Sequence, residues 1–171
     1  SNKSFSNNGN TDFFIASINK DDNSISLIYS AGGEEDDVVT SILIDGEGNL
    51  IIGGYFKSQI IDFGGYERRS KGNSDIFILK ISKDGELIWD KTFGGNGYEY
   101  LNDLCLDNNG NIYLTGSYSS DDLDLGGGTL NHAGMLDIFI LKLDEEANYI
   151  NNFTSGGDED DYSSSITVGE D

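Results

Sequence analysis

Acidic side chains at a regular spacing are the residues of this sequence that could do chemistry. One set begins runs of apolar residues, and a second set follows pairs of glycines by a few positions. The first set is Asp12, Asp75 and Asp137, and the second is Asp37, Glu99 and Asp161. Because hard cations take several carboxylate and carbonyl oxygens as ligands, these residues predict Ca²⁺ sites. The sequence indicates no other cofactor.

The same carboxylates also have a structural interpretation. Short acidic side chains in turns often accept hydrogen bonds from nearby backbone N–H groups. The first set could do this within each unit of the fold, and acidic loops are also commonly just solvated surface. Both interpretations stay open for the acids of the loops, which are Glu34, Glu35, Asp36, Asp121, Asp122, Asp158, Glu159 and Asp160.

Catalytic residues are hard to assemble from the remaining side chains. His132 is the only histidine, and it has neither a second histidine nor a cysteine pair with which to form a zinc site. No motif marks a nucleophile elbow around a serine. With 31 carboxylates in the chain, the presence of an acidic pair does not indicate a glycosidase. We expect a protein that is not an enzyme.

Charge and the length of the apolar runs exclude two classes of partner. The chain of 171 residues has 10 Lys and Arg against 31 Asp and Glu, a net charge of −21. Such a chain repels a phosphate backbone, so we expect no nucleic-acid partner. No apolar run approaches the roughly 18 residues of a membrane helix, so we expect no membrane insertion. Because the sequence begins without Met, we expect it to be a processed or excised piece.

A repeat of about 62 residues sets the positions of the acidic side chains. One complete copy runs from Gly94 to Ser155, and its opening glycine pair recurs 62 positions earlier and later. A run of Asp, an apolar residue, Phe and Ile starts one strand in each copy. The glycine pairs are Gly32-Gly33, Gly94-Gly95 and Gly156-Gly157, and the strand starts are 12–15, 75–78 and 137–140.

Apolar alternation and β-branched runs bounded by Gly, Asn and Asp predict an all-β fold. Each full copy should contain four strands, A to D, in an antiparallel meander. The predicted strands are 12–19 and 24–30 (C and D), 38–45, 49–56, 75–82 and 86–93 (A to D), 101–107, 111–118, 137–144 and 148–154 (A to D), and 162–168 (A).

The predicted connections differ in length. The A–B and C–D connections are tight turns, whereas the B–C connections, 57–74 and 119–136, are long. In a meander the two kinds emerge at opposite ends, so one face should carry tight turns and the other long acidic loops. Strands A and C are apolar on both sides, which predicts four-stranded blades packed face to face in a β-propeller. Phe14, Phe77 and Phe139 hold one repeated position, and we expect all of them to be buried between blades.

Three segments of the complete copy carry a resemblance to a known family. GGNGYEYLNDLCLDNNGNIYLTGSY, LDLGGGTL and AGMLDIFILKLD resemble the SBBP repeat, which is named for a seven-bladed β-propeller, and the resemblance covers about residues 11–171. The departures are Asn151, where the earlier copy has Trp89, Ala147, where a turn glycine is usual, and Gly169. The resemblance implies bacterial or archaeal surface and secreted proteins, with no common catalytic activity.

The sequence therefore predicts an incomplete ring of blades. We expect a partial blade at 1–31, blades at 32–93 and 94–155, and a partial blade at 156–171. We expect a non-catalytic, extracellular or cell-surface segment that mediates structural assembly or adhesion. Its partners would be other repeats of the parent protein or neighbouring copies, with a protein or glycan ligand on the long-loop face. The alternative is a propeller that binds carbohydrate or processes glycosides on that face.

Overall fold

A computed structural model describes residues 7–169 of the chain, and these residues form β-strands and no helix. The prediction of an all-β fold is confirmed. The strands are β1 (Phe13–Ile18), β2 (Ile25–Ala31), β3 (Asp37–Ile44), β4 (Leu50–Phe56), β5 (Ile60–Asp62), β6 (Glu67–Arg69), β7 (Asp75–Ile81), β8 (Leu87–Phe93), β9 (Glu99–Leu106), β10 (Ile112–Tyr118), β11 (Asp137–Leu143) and β12 (Tyr149–Ser155).

The strands form three sheets in chain order and one small hairpin. Strands β1 and β2 make the first sheet, β3-β4-β7-β8 make the second, and β9-β10-β11-β12 make the third. All neighbouring strands within them are antiparallel. Alternating apolar residues of high β-propensity explain why these segments extend, since each can bury one or both pleated faces.

Two strand predictions are wrong. No strand forms at 162–168, which instead runs beside β9: Asn102 Nδ2 donates to Ser163 O, and Ile166 N donates to Asp103 Oδ2. In the second and third sheets the first strand pairs with the strand that follows it after a tight turn. Within the described residues, segment 162–168 forms no such pairing. The second error is β5 and β6, which pair as a hairpin inside a segment predicted as loop.

Tight turns close one end of the second and third sheets. Gly48 and Gly110 adopt φ of 86° and 81°, which a glycine reaches without strain. In both turns an aspartate, Asp45 or Asp107, accepts backbone N–H groups two and four residues later. The antiparallel order therefore places the long connections at the opposite end.

The three sheets stack face to face through two hydrophobic clusters. Strand β7 contributes to both clusters, because its successive side chains point to opposite faces of the sheet. Phe77 faces the first sheet, where its ring stacks on Phe13 at a centroid distance of 5.2 Å. Ile76 and Ile78 face the third sheet and share a cluster with Phe139. A sheet buried on both faces accounts for the continuous apolar run of β7.

The long connections contribute to both clusters. Ile61 and Phe63, from the hairpin segment, complete the cluster of the first and second sheets. Leu123, Leu125 and Leu130, from the corresponding connection before β11, complete the other. These connections therefore form part of the hydrophobic core and are not wholly solvated loops.

The prediction that Phe14 is buried is wrong. Phe77 and Phe139 are fully buried as predicted, whereas Phe14 is 57% exposed. Its neighbour Phe13 faces the second sheet, so the pleat turns Phe14 to the outer face of the first sheet. The repeated position is correct, but on this sheet it lies on a face that no other sheet of the described residues covers.

Candidate functional site

The structure brings the two predicted sets of carboxylates together in pairs. Where each sheet is followed by a glycine pair, the residue before the strand-C aspartate accepts a backbone hydrogen bond from the acid after that pair. Asp37 N donates to Thr11 O at 2.7 Å, Glu99 N to Ser74 O at 3.0 Å, and Asp161 N to Leu136 O at 2.7 Å. We call these places the first, second and third junctions; their acid pairs are Asp12 with Asp37, Asp75 with Glu99, and Asp137 with Asp161.

The acid that follows the glycine pair folds back onto it. Gly33 N donates to Asp37 Oδ2 at 2.6 Å, and Gly95 N donates to Glu99 Oε2 at 2.8 Å. At the third junction Gly157 N donates to Asp161 Oδ2 at 2.8 Å. The carboxylate thus satisfies a turn N–H four residues earlier in every junction.

The strand-C aspartates also accept backbone N–H groups. Asn8 N donates to Asp12 Oδ2 at 2.6 Å, Lys71 N to Asp75 Oδ2 at 3.1 Å, and Ala133 N to Asp137 Oδ2 at 2.9 Å. Each donor again lies four residues before its acceptor. This geometry supports the structural interpretation of these acids, as holders of the loop that leads into strand C.

The first glycine of each pair is required by the strand-C aspartate. A Cβ on Gly32 would lie 2.1 Å from Asp12 Oδ1, and one on Gly156 would lie 2.1 Å from Asp137 Oδ1. A Cβ on Gly94 would lie 2.1 Å from Asp75 Cγ. The aspartate therefore packs directly against the glycine Cα, and no side chain fits at that position.

Two serines complete the first two junctions, and sequence reasoning missed both. Ser58 Oγ donates to Asp37 Oδ2 at 2.8 Å, and Ser120 Oγ donates to Glu99 Oε1. Both serines are fully buried. They lie 62 residues apart, each two positions after the aromatic residue that ends β4 or β10, so the repeat itself contained the signal.

Burial is the largest influence on the pKa values of Asp37, Asp75 and Glu99 in the first two junctions. It raises the pKa of Asp37 and that of Asp75 above their ordinary value. It raises the pKa of Glu99 to about 7, with smaller contributions from the charges of Asp75 and Asp122, while the hydrogen bonds from Ser120 and Gly95 act in the opposite direction. The second junction therefore holds a proton close to neutral pH.

Metal binding at the junctions stays a prediction. Each junction brings two carboxylates to the end of the sheets that carries the long connections. Across residues 7–169, no group of three or more His, Cys, Asp or Glu side chains is arranged to hold a metal ion. Each of these carboxylates accepts a hydrogen bond from the chain through at least one oxygen, whereas Asp12 Oδ1 and Asp137 Oδ1 are buried and have no hydrogen-bond partner among the described residues.

The single histidine anchors a loop. His132 Nε2 lies 2.6 Å from Met135 O, and its Nδ1 lies 3.6 Å from Asp121 Oδ1. Its ring also packs against that of Tyr118. These contacts hold the connection before β11 in place.

Tyrosines gather beside the second junction. Tyr98 and Tyr100 flank the buried Glu99, so the pleat turns their rings to the other side. The two rings stack at a centroid distance of 6.0 Å, and Tyr55 meets Tyr100 edge-on at 4.9 Å. Tyr98 is 44% exposed, which leaves aromatic surface open to solvent. We call Tyr55, Tyr98 and Tyr100 the tyrosine cluster.

Comparisons with known proteins add no identification. The described residues include no helix that could cross a lipid bilayer. Models of known protein families do not match the chain, and no curated protein matches it either.

Proposed function

We propose that this chain is a non-catalytic section of a β-propeller on the cell surface or outside the cell, and that its role is structural assembly or adhesion. The three sheets are successive blades, the junctions fasten each blade to the next, and the outer faces of the first and third sheets dock further blades. In the isolated chain the occupant of each outer face is a second copy. One observation carries the proposal. Each outer face bears the repeat counterparts of residues that are buried where two sheets meet.

The outer face of the first sheet matches the face that the second sheet buries. Phe14 corresponds to Phe77, which is fully buried against the first sheet. Ile18 and Ile25 are a directly opposed pair farther along that sheet, and both are exposed. Contiguous exposed apolar side chains of this kind mark interaction surfaces.

The outer face of the third sheet matches the face that the second sheet packs against the third. Ile140 corresponds to Ile78, which is fully buried in the cluster of the second and third sheets. Phe153 lies directly opposite Ile140 in the ladder and is 61% exposed. The two outer faces therefore differ from each other and are complementary, as the two halves of a heterologous interface must be.

The third junction is built like the other two but has fewer contacts among residues 7–169, the part of the chain that the structure describes. Asp37 and Glu99 each accept a serine hydroxyl as well as a glycine N–H, whereas the hydrogen bond of Asp161 comes from Gly157. A Cβ on Gly157 would have its nearest neighbour at 3.8 Å, the Asp161 carboxylate itself. There is room here for the serine-bearing loop of a following blade.

Sedimentation of the chain over a wide concentration range tests the proposal. We expect association that increases with concentration, and we expect Phe14→Lys or Phe153→Lys to reduce it. Tyr66→Lys is the matched control, because Tyr66 is also exposed but lies in the turn between β5 and β6. A monomer that stays compact and melts cooperatively at every concentration would refute the proposal.

The tyrosine cluster favours carbohydrate binding as a second candidate function. Aromatic faces carry a negative potential, which attracts the weakly positive C–H groups of a sugar ring. The cluster lies at the end of the sheets that carries the long connections, where the sequence predicted a ligand face. Glycan-array binding should fall for Tyr98→Ala and remain for Tyr66→Ala. Silence of the unmodified chain on the array would remove this candidate, and hydrolysis of a generic glycoside would overturn the non-catalytic role.

A further inference from the structure

Segment 162–168 is held in the position of a first strand of a further sheet. The carboxylate of Asp103 accepts the backbone N–H of Leu104 at 2.9 Å and that of Ile166 at 3.1 Å. Leu104 belongs to β9, the first strand of the third sheet, and Ile166 lies 62 residues later in the chain. The chain runs from 161 to 169 without a turn or a bend. One carboxylate therefore holds the same repeated N–H group in β9 and in the segment.

The backbone of the segment has an open edge. Among residues 7–169, no backbone group of 162–168 makes a hydrogen bond with another backbone group. Successive N–H groups of a strand point to opposite edges, so the N–H group of Thr167 faces away from Asp103. The corresponding residue of β9, Cys105, lies opposite Tyr113 of β10 in the ladder. The open edge of the segment therefore corresponds to the edge of β9 that β10 occupies.

The strand that occupies this edge in the second and third sheets requires a glycine. A Cβ on Gly54 of β4 would lie 1.9 Å from Val38 O, and one on Gly116 of β10 would lie 2.0 Å from Tyr100 O. Both ladders shift register beside this glycine, where the two backbones approach closely. Tyr162 holds the position of Val38 and Tyr100 in the repeat. A strand on the open edge must therefore carry glycine where it passes Tyr162 O.

The same strand leads into the serine of the junction. In the first two junctions a serine four residues after this glycine donates its hydroxyl to the junction acid. Asp161 accepts a hydrogen bond from Gly157 N, and no hydroxyl donates to it among the described residues. The space beside Gly157 is open, since a Cβ there would have its nearest neighbour at 3.8 Å. A strand with serine at the same spacing would complete the third junction.

The sequence pattern of a fitting strand can be read from β4 and β10. Alternate positions carry two apolar residues, the glycine, an aromatic residue and the serine. These residues are Leu50, Ile52, Gly54, Phe56 and Ser58 in one case and Ile112, Leu114, Gly116, Tyr118 and Ser120 in the other. Their apolar and aromatic members pack into the clusters between the sheets. On the open edge of segment 162–168 they would face the outer side of the third sheet, which carries Ile140 and Phe153.

We propose that Asp161 and segment 162–168 form an acceptor site for one antiparallel β-strand of a partner polypeptide, and that the partner strand carries this alternating pattern. The site continues the series of junctions between the sheets, with its acid, glycine pair and first strand in place. The inference rests on the proposed function, because it treats the segment as the start of a further blade. In head-to-tail docking the strand would lie between the segment of one copy and β1 of the next, since β1 pairs only with β2 among the described residues.

A synthetic peptide of residues 111–121, which contains β10 and Ser120, is the probe. Fluorescence anisotropy of the labelled peptide should show saturable binding to the unmodified chain, at a concentration at which the chain is monomeric. Gly116→Val in the peptide should weaken binding by about tenfold or more, because the new side chain meets Tyr162 O. Valine has the higher strand propensity, so unspecific association of strands would be strengthened instead. Ser120→Ala in the peptide should weaken binding by about fivefold, through the loss of one hydrogen bond to a carboxylate.

A matched pair of chain variants locates the binding edge. Thr167→Pro removes the N–H group that faces the open edge, whereas Thr167→Ala keeps it. The proline variant should bind the peptide at least about tenfold more weakly, and the alanine variant should stay within about twofold of the unmodified chain. Circular dichroism should show that both remain folded, because the three sheets do not pair with the segment. In hydrogen exchange, the bound peptide should slow exchange at 162–168.

The proposal is overturned if no peptide binds, if the valine peptide or a scrambled peptide binds as tightly as the natural one, or if the two Thr167 variants bind equally. Slower exchange confined to β9 or β11 would show that the peptide replaces β10, and would overturn it as well. Failure of the chain to self-associate in sedimentation would refute the docking of copies without changing peptide binding by the monomer. The two failures are therefore distinguishable.

Discussion

The second glycine of each pair offers a matched series of substitutions. Gly33, Gly95 and Gly157 occupy the same position in the three junctions, and none adopts a left-handed φ. The three alanine variants should therefore differ only in the atoms that the new Cβ contacts. A Cβ on Gly33 would lie 2.3 Å from Ile60 O and 2.5 Å from Ser58 Cβ.

The second and third members of the series differ sharply. A Cβ on Gly95 would lie 2.5 Å from Ser120 Cβ and 2.5 Å from Asp122 Oδ1, whereas one on Gly157 finds its nearest atom at 3.8 Å. Overpacking of this kind costs about 1–3 kcal/mol. Where space and φ permit, Gly→Ala instead stabilises by about 0.4–1 kcal/mol, because the unfolded chain loses freedom.

Urea and thermal unfolding followed by circular dichroism measure the series. We expect Gly33→Ala and Gly95→Ala to lower the unfolding free energy by about 1–3 kcal/mol and Gly157→Ala to raise it slightly. Each kcal/mol should move Tm by about 2–4 °C in a chain of this size. Equal destabilisation at all three positions would refute the account of the junctions. Contact with the serine-bearing loop would then not explain why the second position of the pair is a glycine.

Further predictions follow from packing, protonation and charge. Phe77→Ala should cost about 3–5 kcal/mol of unfolding free energy, whereas Phe14→Ala, on an exposed face, should cost far less; equal losses in urea unfolding would contradict the stacking of the sheets. The pKa of Glu99 is about 7 in the fold against an ordinary 4.5, so the folded state binds more protons between these values. Stability should then decrease as pH rises from about 4.5 to about 7, by as much as about 3 kcal/mol, and a Glu99→Gln variant with an unchanged pH slope would exclude Glu99 as the cause. Millimolar Ca²⁺ should raise Tm more than NaCl of equal ionic strength, because clustered carboxylates bind a divalent cation as well as being screened; identical shifts would reduce the effect to screening.

The periodic apolar pattern was enough to predict the strands that pair within the sheets. The predicted ends of the strands in the three sheets lie within two residues of those observed, because alternation and turn glycines are local signals. The hairpin β5–β6 was missed, since each of its strands has only three residues, too few for a period to show. The strand at 162–168 was predicted from the repeat and its apolar pattern, which contain no information on whether a ladder partner is present.

The candidate site was predicted in its acids but not in its contacts. The spacing of Asp75 and Glu99 identified them as repeated positions, yet which strands become neighbours depends on how the sheets stack. Ser120 carries no chemical signal of its own, and only its distance of 62 residues from Ser58 could have selected it. Phe14 was misjudged for a related reason: a repeat predicts that a face is apolar, and the presence of a neighbour that covers it is a property of the assembly.

Mixing two end-face variants tests the proposed assembly most directly. Phe14→Lys damages the outer face of the first sheet, and Phe153→Lys damages that of the third. In head-to-tail docking each variant alone should sediment as a monomer, while an equimolar mixture should form a one-to-one dimer through the single intact face on each partner. Sedimentation of the mixture as monomers, under conditions in which the unmodified chain associates, would contradict head-to-tail docking of blades.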